Sequence, residues 1–107
     1  MRIFNKLVRD RIPAIIECNG EKCKYRVMND KEYKEALDTK LAEELQEYLK
    51  SGDVEELADL EEVLRAILKT KQVSLEQFEE IRKRKAVTRG GFDRKIFLET
   101  TFKEHEL

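Results

Sequence analysis

Apolar residues recur every three to four positions along most of this chain, the spacing of one buried helix face. Leu37, Leu41, Leu45 and Tyr48 share a face on a helix that turns about 100° per residue. Leu57, Leu60, Val63, Leu64 and Ile67 share one farther on. Between these runs stands "SG" at 51 and 52, a helix stop followed by Asp53 as a cap for the next helix. Asn29 or Asp30 caps the first of the pair, which runs to about Lys50, and the second runs to about Thr70. A connection this short makes the two helices antiparallel neighbours.

The flanking sequence extends the pattern. "VRDRIPAIIECNG" reads as a short helix with Asp10 as its cap, Pro13 in its first turn and Gly20 at its end. Ser74 and Gln77 form a capping box for a fourth helix through about Thr88, ended by "RGG". "KCKYRVM" and "KIFLETTF" alternate weakly and suit short extended or β segments near residues 22–28 and 95–101. The expectation is an all-α fold, an antiparallel bundle of about four helices, in a single domain over residues 1–107.

Charge changes the picture in one place. Lys plus Arg total 22 and Asp plus Glu total 23, so no global imbalance points to nucleic acid or an anionic membrane. Residues 40–63, however, set carboxylates among the leucines. Glu44 projects beside Leu37 and Tyr48, and Glu56 between Val63 and Ile67, both within the apolar arcs. Each has a second acid three residues on, Glu47 and Asp59, on a shared helix face. Glu43 lies farther round, toward solvent. Four carboxylates converging between antiparallel helices repel one another, and burying even one is expensive. The cluster is tolerable if it is protonated, paired with Lys or Arg, or bound to a hard divalent cation such as Mg²⁺.

Other chemistry is sparse. Cys18, Cys23 and His105 do not make a four-ligand zinc site. The two cysteines read as reduced thiols, their spacing leaving a disulfide open. No Walker loop, GxGxxG or Ser–His–Asp set occurs. "MRIFNKLVRDR" has no apolar core of a secretory signal, and no run approaches a membrane span, which makes the cytoplasm the expected compartment. Lys6, Arg9 and Arg11 in that opening suit a helix cap and surface pairs, or contacts to phosphates or a second subunit.

Residues 43–47, "EELQE", and 56–59, "ELAD", resemble the paired EExxE and ExxD signature of the MazG-like all-α nucleoside triphosphate pyrophosphohydrolases. "NKLVRDRIP" and "RGGFDRKIFLE" resemble the short phosphoribosyl-ATP pyrophosphohydrolase-like members of that superfamily. Eight residues separate Glu47 from Glu56, fewer than in many members. The resemblance implies that Glu44, Glu47, Glu56 and Asp59 bind Mg²⁺, with Mn²⁺ the alternative ion. It assigns substrate phosphates to Lys85 and Arg89, one helical turn apart, with Arg94 assisting and Arg82 a weaker candidate. The activity implied is hydrolysis of a nucleotide at the α–β phosphoanhydride, giving a monophosphate and pyrophosphate, a reaction suited to nucleotide-pool housecleaning. Glu44 and Glu47 are the candidates for the base, with Glu43 in reserve. Members of the family assemble from two or more chains, so a homodimer or higher homo-oligomer is expected.

Two other classes fit parts of the sequence. A nucleotide sensor would keep the fold but lose an acidic ligand, and all four acids are present. A small helical nucleic-acid-binding or interaction protein would use "RKRK" and "RGG", but "EQFEE" at 76–80 dilutes that basic face.

Overall fold

A computed structural model describes residues 1–106. The chain divides into two units, Met1–Leu75 and Glu76–Leu107. Four α-helices and one short 3₁₀ turn make up the regular structure of the described residues, and the fold class is all-α.

The first unit holds α1 (Ile12–Cys18), α2 (Asp30–Ser51) and α3 (Val54–Thr70). Asn29 caps α2: its backbone is extended and its side-chain oxygen accepts from the Glu32 N–H at 2.9 Å. Gly52 ends that helix in the left-handed region, φ 71°, where its N–H donates to the Tyr48 carbonyl at 2.7 Å. Asp53 is extended at the N-cap of α3 but makes no side-chain cap bond; its own N–H donates to Ser51 Oγ at 3.1 Å. Two residues therefore join α2 to α3, and the two helices pack along each other.

Their apolar stripes meet the expected faces unevenly. Leu37 is 3% exposed and Val63 8%, the buried residues of α2 and α3. Leu41, Tyr48, Leu60, Leu64 and Ile67 are half-buried. Leu45 and Leu57, two further members of the stripes, are exposed. Both lie toward the linked ends of the helices, where Leu49 and Val54 are exposed as well.

The sequence reading differs from the structure at two points. Asp10 does not cap α1, because a tight turn intervenes: the Ile12 N–H donates to the Arg9 carbonyl at 3.0 Å, and Arg11 becomes the N-cap with no side-chain bond. Pro13 still falls in the first turn, and Gly20 still follows the helix with φ 90°. The segments 22–28 and 95–101 form no strand among the described residues, since neither finds a neighbouring strand to complete its backbone hydrogen bonds. The first is instead tied to α2 by the Arg26–Glu32 ion pair at 2.6 Å. Cys18 and Cys23, read as reduced thiols, are both free.

The second unit holds α4 (Leu75–Arg89) from Glu76 onward, then Gly90 at φ 82° and the 3₁₀ turn Glu104–Glu106. No residue of α4 is buried. Phe92, Ile96, Phe97 and Leu98 are exposed. No described helix is long and apolar enough to cross a membrane.

Leu37→Ala is expected to lower unfolding stability by about 2–5 kcal/mol, the range for truncating a buried leucine. Asn29→Ala should cost about 1 kcal/mol through the lost cap bond. Urea unfolding followed by circular dichroism checks both.

Candidate metal centre

The hairpin of α2 and α3 brings three of the four expected acids together. Glu44, Glu56 and Asp59 each offer a carboxylate oxygen, and these atoms lie within 4.8 Å of one another. All three side chains are half-buried. Helical periodicity explains the grouping. Glu56 and Asp59 stand three apart on one face of α3, and Glu44 stands on α2 beside its apolar stripe. The two-residue link returns the chain immediately, so the start of α3 lies against the later part of α2.

Glu47 stands apart from the triad. It is exposed and contributes no atom to the 4.8 Å group, though its charge is felt at Glu56. Glu43, expected toward solvent, is half-buried and held by two lysines. Lys6 Nζ lies 3.3 Å and Lys40 Nζ 3.4 Å from the same Glu43 oxygen.

Cations reach two members of the triad. Lys40 also contacts Glu44 at 3.4 Å, with both side chains largely shielded from solvent. Arg9 donates to Asp59 Oδ1 at 2.6 Å, from 50 residues away in sequence. Glu56 has no ion-pair partner among the described residues. Its position is reflected in its ionisation. Removal from water pushes the Glu56 carboxyl above the usual range, and the charges of Asp59, Glu47 and Glu44 push it the same way. Glu43 moves oppositely. Burial alone would raise it, but the hydrogen bond from Lys6 and the charges of Lys40 and Lys6 outweigh that effect and hold it below the usual range.

Sequence reasoning placed the acids and missed their counter-ions. Lys40 was legible, since it stands three and four residues before Glu43 and Glu44. The Arg9–Asp59 and Lys6–Glu43 pairs had no local signal beyond the cations of the opening segment. Those two cations do make surface pairs, as that segment's composition suggested.

The expected phosphate-binding residues belong to the second unit. Lys85 and Arg89 are exposed on α4 and Arg94 is exposed in the turn after it, and none makes an ion pair among the described residues. Arg82 does: its guanidinium grips Glu79 at 2.6 Å, which takes it further from a phosphate role.

The donor set suits a hard divalent cation. Carboxylate oxygens from three side chains are the ligands Mg²⁺ and Mn²⁺ take, and the excess negative charge at Glu56 is what such an ion would neutralise.

Comparison with known proteins adds little chemistry. No protein-family model matches the chain. An uncharacterized protein of Mycolicibacterium smegmatis is 45% identical over 53 residues, which cover 50% of this chain and 53% of that protein. The chain thus spans about half the length of this curated relative. No solved structure matches.

Proposed function

We propose that the chain is a cytoplasmic, Mg²⁺-dependent nucleotide pyrophosphohydrolase acting as a homodimer or higher homo-oligomer. The observation that carries this reading is the convergence of Glu44, Glu56 and Asp59 from two hairpin helices. These are positions of the two acidic motifs that resemble the MazG-like signature. The exposed Leu45, Leu49, Val54 and Leu57 support assembly, since apolar side chains along one stretch of a helical hairpin favour cover by a partner.

Glu44, Glu56 and Asp59 would hold the ion; Mn²⁺ would serve in its place. A bound ion of this kind neutralises phosphate charge and makes water more acidic. Glu47 is exposed at the edge of the cluster, outside the triad, and is free to accept a proton from the water attacking the α–β linkage. Glu43 is the poorer base, because two lysines hold its carboxyl below the usual range and so lower its affinity for a proton. Lys85 and Arg89, with Arg94, are assigned the phosphates by the resemblance, and none of them makes an ion pair among the described residues. The products would be a nucleoside monophosphate and pyrophosphate.

Glu44→Gln and Asp59→Asn should each abolish hydrolysis of a nucleoside triphosphate panel while the helical fold survives. Wild-type turnover by either variant would remove that residue from the ion's ligands. Hydrolysis in ¹⁸O-water should label only products of α–β cleavage, and direct release of orthophosphate would overturn the assigned bond.

Lys85→Ala and Arg89→Ala should each remove a charge-assisted contact of roughly 1.5–3 kcal/mol. That is about tenfold or more in kcat/KM, with part of the loss in kcat. Steady-state kinetics at constant salt checks it, and unchanged values in both variants would exclude the two residues from the site.

The raised pKa of Glu56 also has a consequence for the metal-free protein. Below the ordinary glutamate value of 4.5, folded and unfolded chains are both protonated at Glu56. As pH rises the unfolded chain ionises first, so stability falls until the folded carboxyl ionises too. At neutral pH, Glu56→Gln should therefore melt at a higher temperature than wild type, and the difference should vanish near pH 4. Thermal melts in the presence of a chelator test this.

A further inference from the structure

The segment before α1 crosses the hairpin and places a cation on each of its two helices. Lys6 reaches Glu43 on α2, and Arg9 reaches Asp59 on α3. Up to residue 9 this segment has no regular structure, and Asn5 adopts φ 44°. Side-chain ion pairs to Glu43 and Asp59 are thus among the ties that hold it to the hairpin. The two pairs differ in kind. Glu43 is shared by two lysines, so losing one leaves it compensated. Asp59 has a single ion-pair partner among the described residues, the Arg9 guanidinium, and it is also a member of the triad.

A divalent ion entering the triad competes with that guanidinium for the same carboxylate. The contest is open, because the pair is part-exposed: 56% for the Arg9 side chain and 41% for Asp59. Exposed pairs hold weakly, whereas a divalent ion gains from all three carboxylates at once. The displaced guanidinium remains tethered by the backbone turn at Arg9 and Ile12, beside the site. Guanidinium is a planar, permanently charged fork that matches a phosphate edge as well as a carboxylate.

Resting on the metal-centre reading above, we propose that Arg9 is an exchangeable cation of this site. It neutralises Asp59 while no divalent ion is bound, and yields Asp59 to the ion and turns to a phosphate oxygen of the substrate. Arg9 is then a positioning residue for the phosphate chain as well as a threshold on metal loading.

The signature is a pair of opposite effects in one variant. Arg9→Gln should bind Mn²⁺ about three- to tenfold more tightly than wild type, because a competing charge is gone. The same variant, saturated with Mn²⁺, should bind inorganic tripolyphosphate about tenfold more weakly. Arg9→Lys keeps the charge and loses the fork, so its Mn²⁺ affinity should stay near wild type while tripolyphosphate binding recovers only in part. Calorimetric titration of the full chain, with Mn²⁺ alone and then tripolyphosphate, reads both. A purely structural Arg9 would weaken both ligands together, and that result, or unchanged Mn²⁺ affinity, overturns the proposal. Tighter Mn²⁺ with unchanged tripolyphosphate overturns the phosphate half. If wild type takes up no Mn²⁺, or Asp59→Asn takes it up as well as wild type, the metal-centre reading fails and the inference falls with it.

Discussion

The two-residue link between α2 and α3 is the constraint on which the rest depends. Two helices joined so tightly have one way to bury their leucines, side by side and in opposite directions. The register that buries Leu37 and Val63 is the register that sets Glu44 against Glu56 and Asp59. Apolar packing thus drives the carboxylates together against their own repulsion. The sparse burial around them shows the compromise, since Leu45 and Leu57 remain open to solvent near the acidic end.

The charges are then distributed unequally rather than cancelled. Lys40 serves two glutamates on its own helix, Lys6 strengthens one of these, and Arg9 takes Asp59. Glu56 is left to bear the surplus, and its raised pKa is the local measure of it. A structure seeking only stability would place an uncharged residue at such a position. An acid kept there without a cationic partner among the described residues fits a site whose remaining partner is a ligand, which is why the functional reading rests on this helical pair.

What could be read from the sequence follows the range of the forces. Helix periods, the Asn29 cap, the Gly52 stop and the α2–α3 pairing rest on interactions spanning a few residues, and all were legible. So was the acidic grouping, because each pair is three apart and the link is short. Asp10 failed as a cap because one turn at Arg9–Ile12 shifted the helix start, a matter of a single hydrogen bond. The two alternating segments form no strand, because alternation describes a face, while a strand also needs a neighbour. Glu47, at the flank of the α2 stripe, is exposed and outside the triad. Arg9 on Asp59 was invisible, since nothing local ties residues 50 apart.

That separation orders the events of folding. The acids of the triad lie within a span of 16 residues, Glu44 to Asp59, so hairpin closure brings them together over a short loop. The distant cations must cross 50 residues for Arg9 to reach Asp59 of the triad and 37 for Lys6 to reach the neighbouring Glu43. Lys40 is present in the hairpin from the start, but Asp59 meets the repulsion before Arg9 arrives. Ions in solution, by screening the nascent hairpin, therefore act on the rate at which this fold is reached as well as on its final balance.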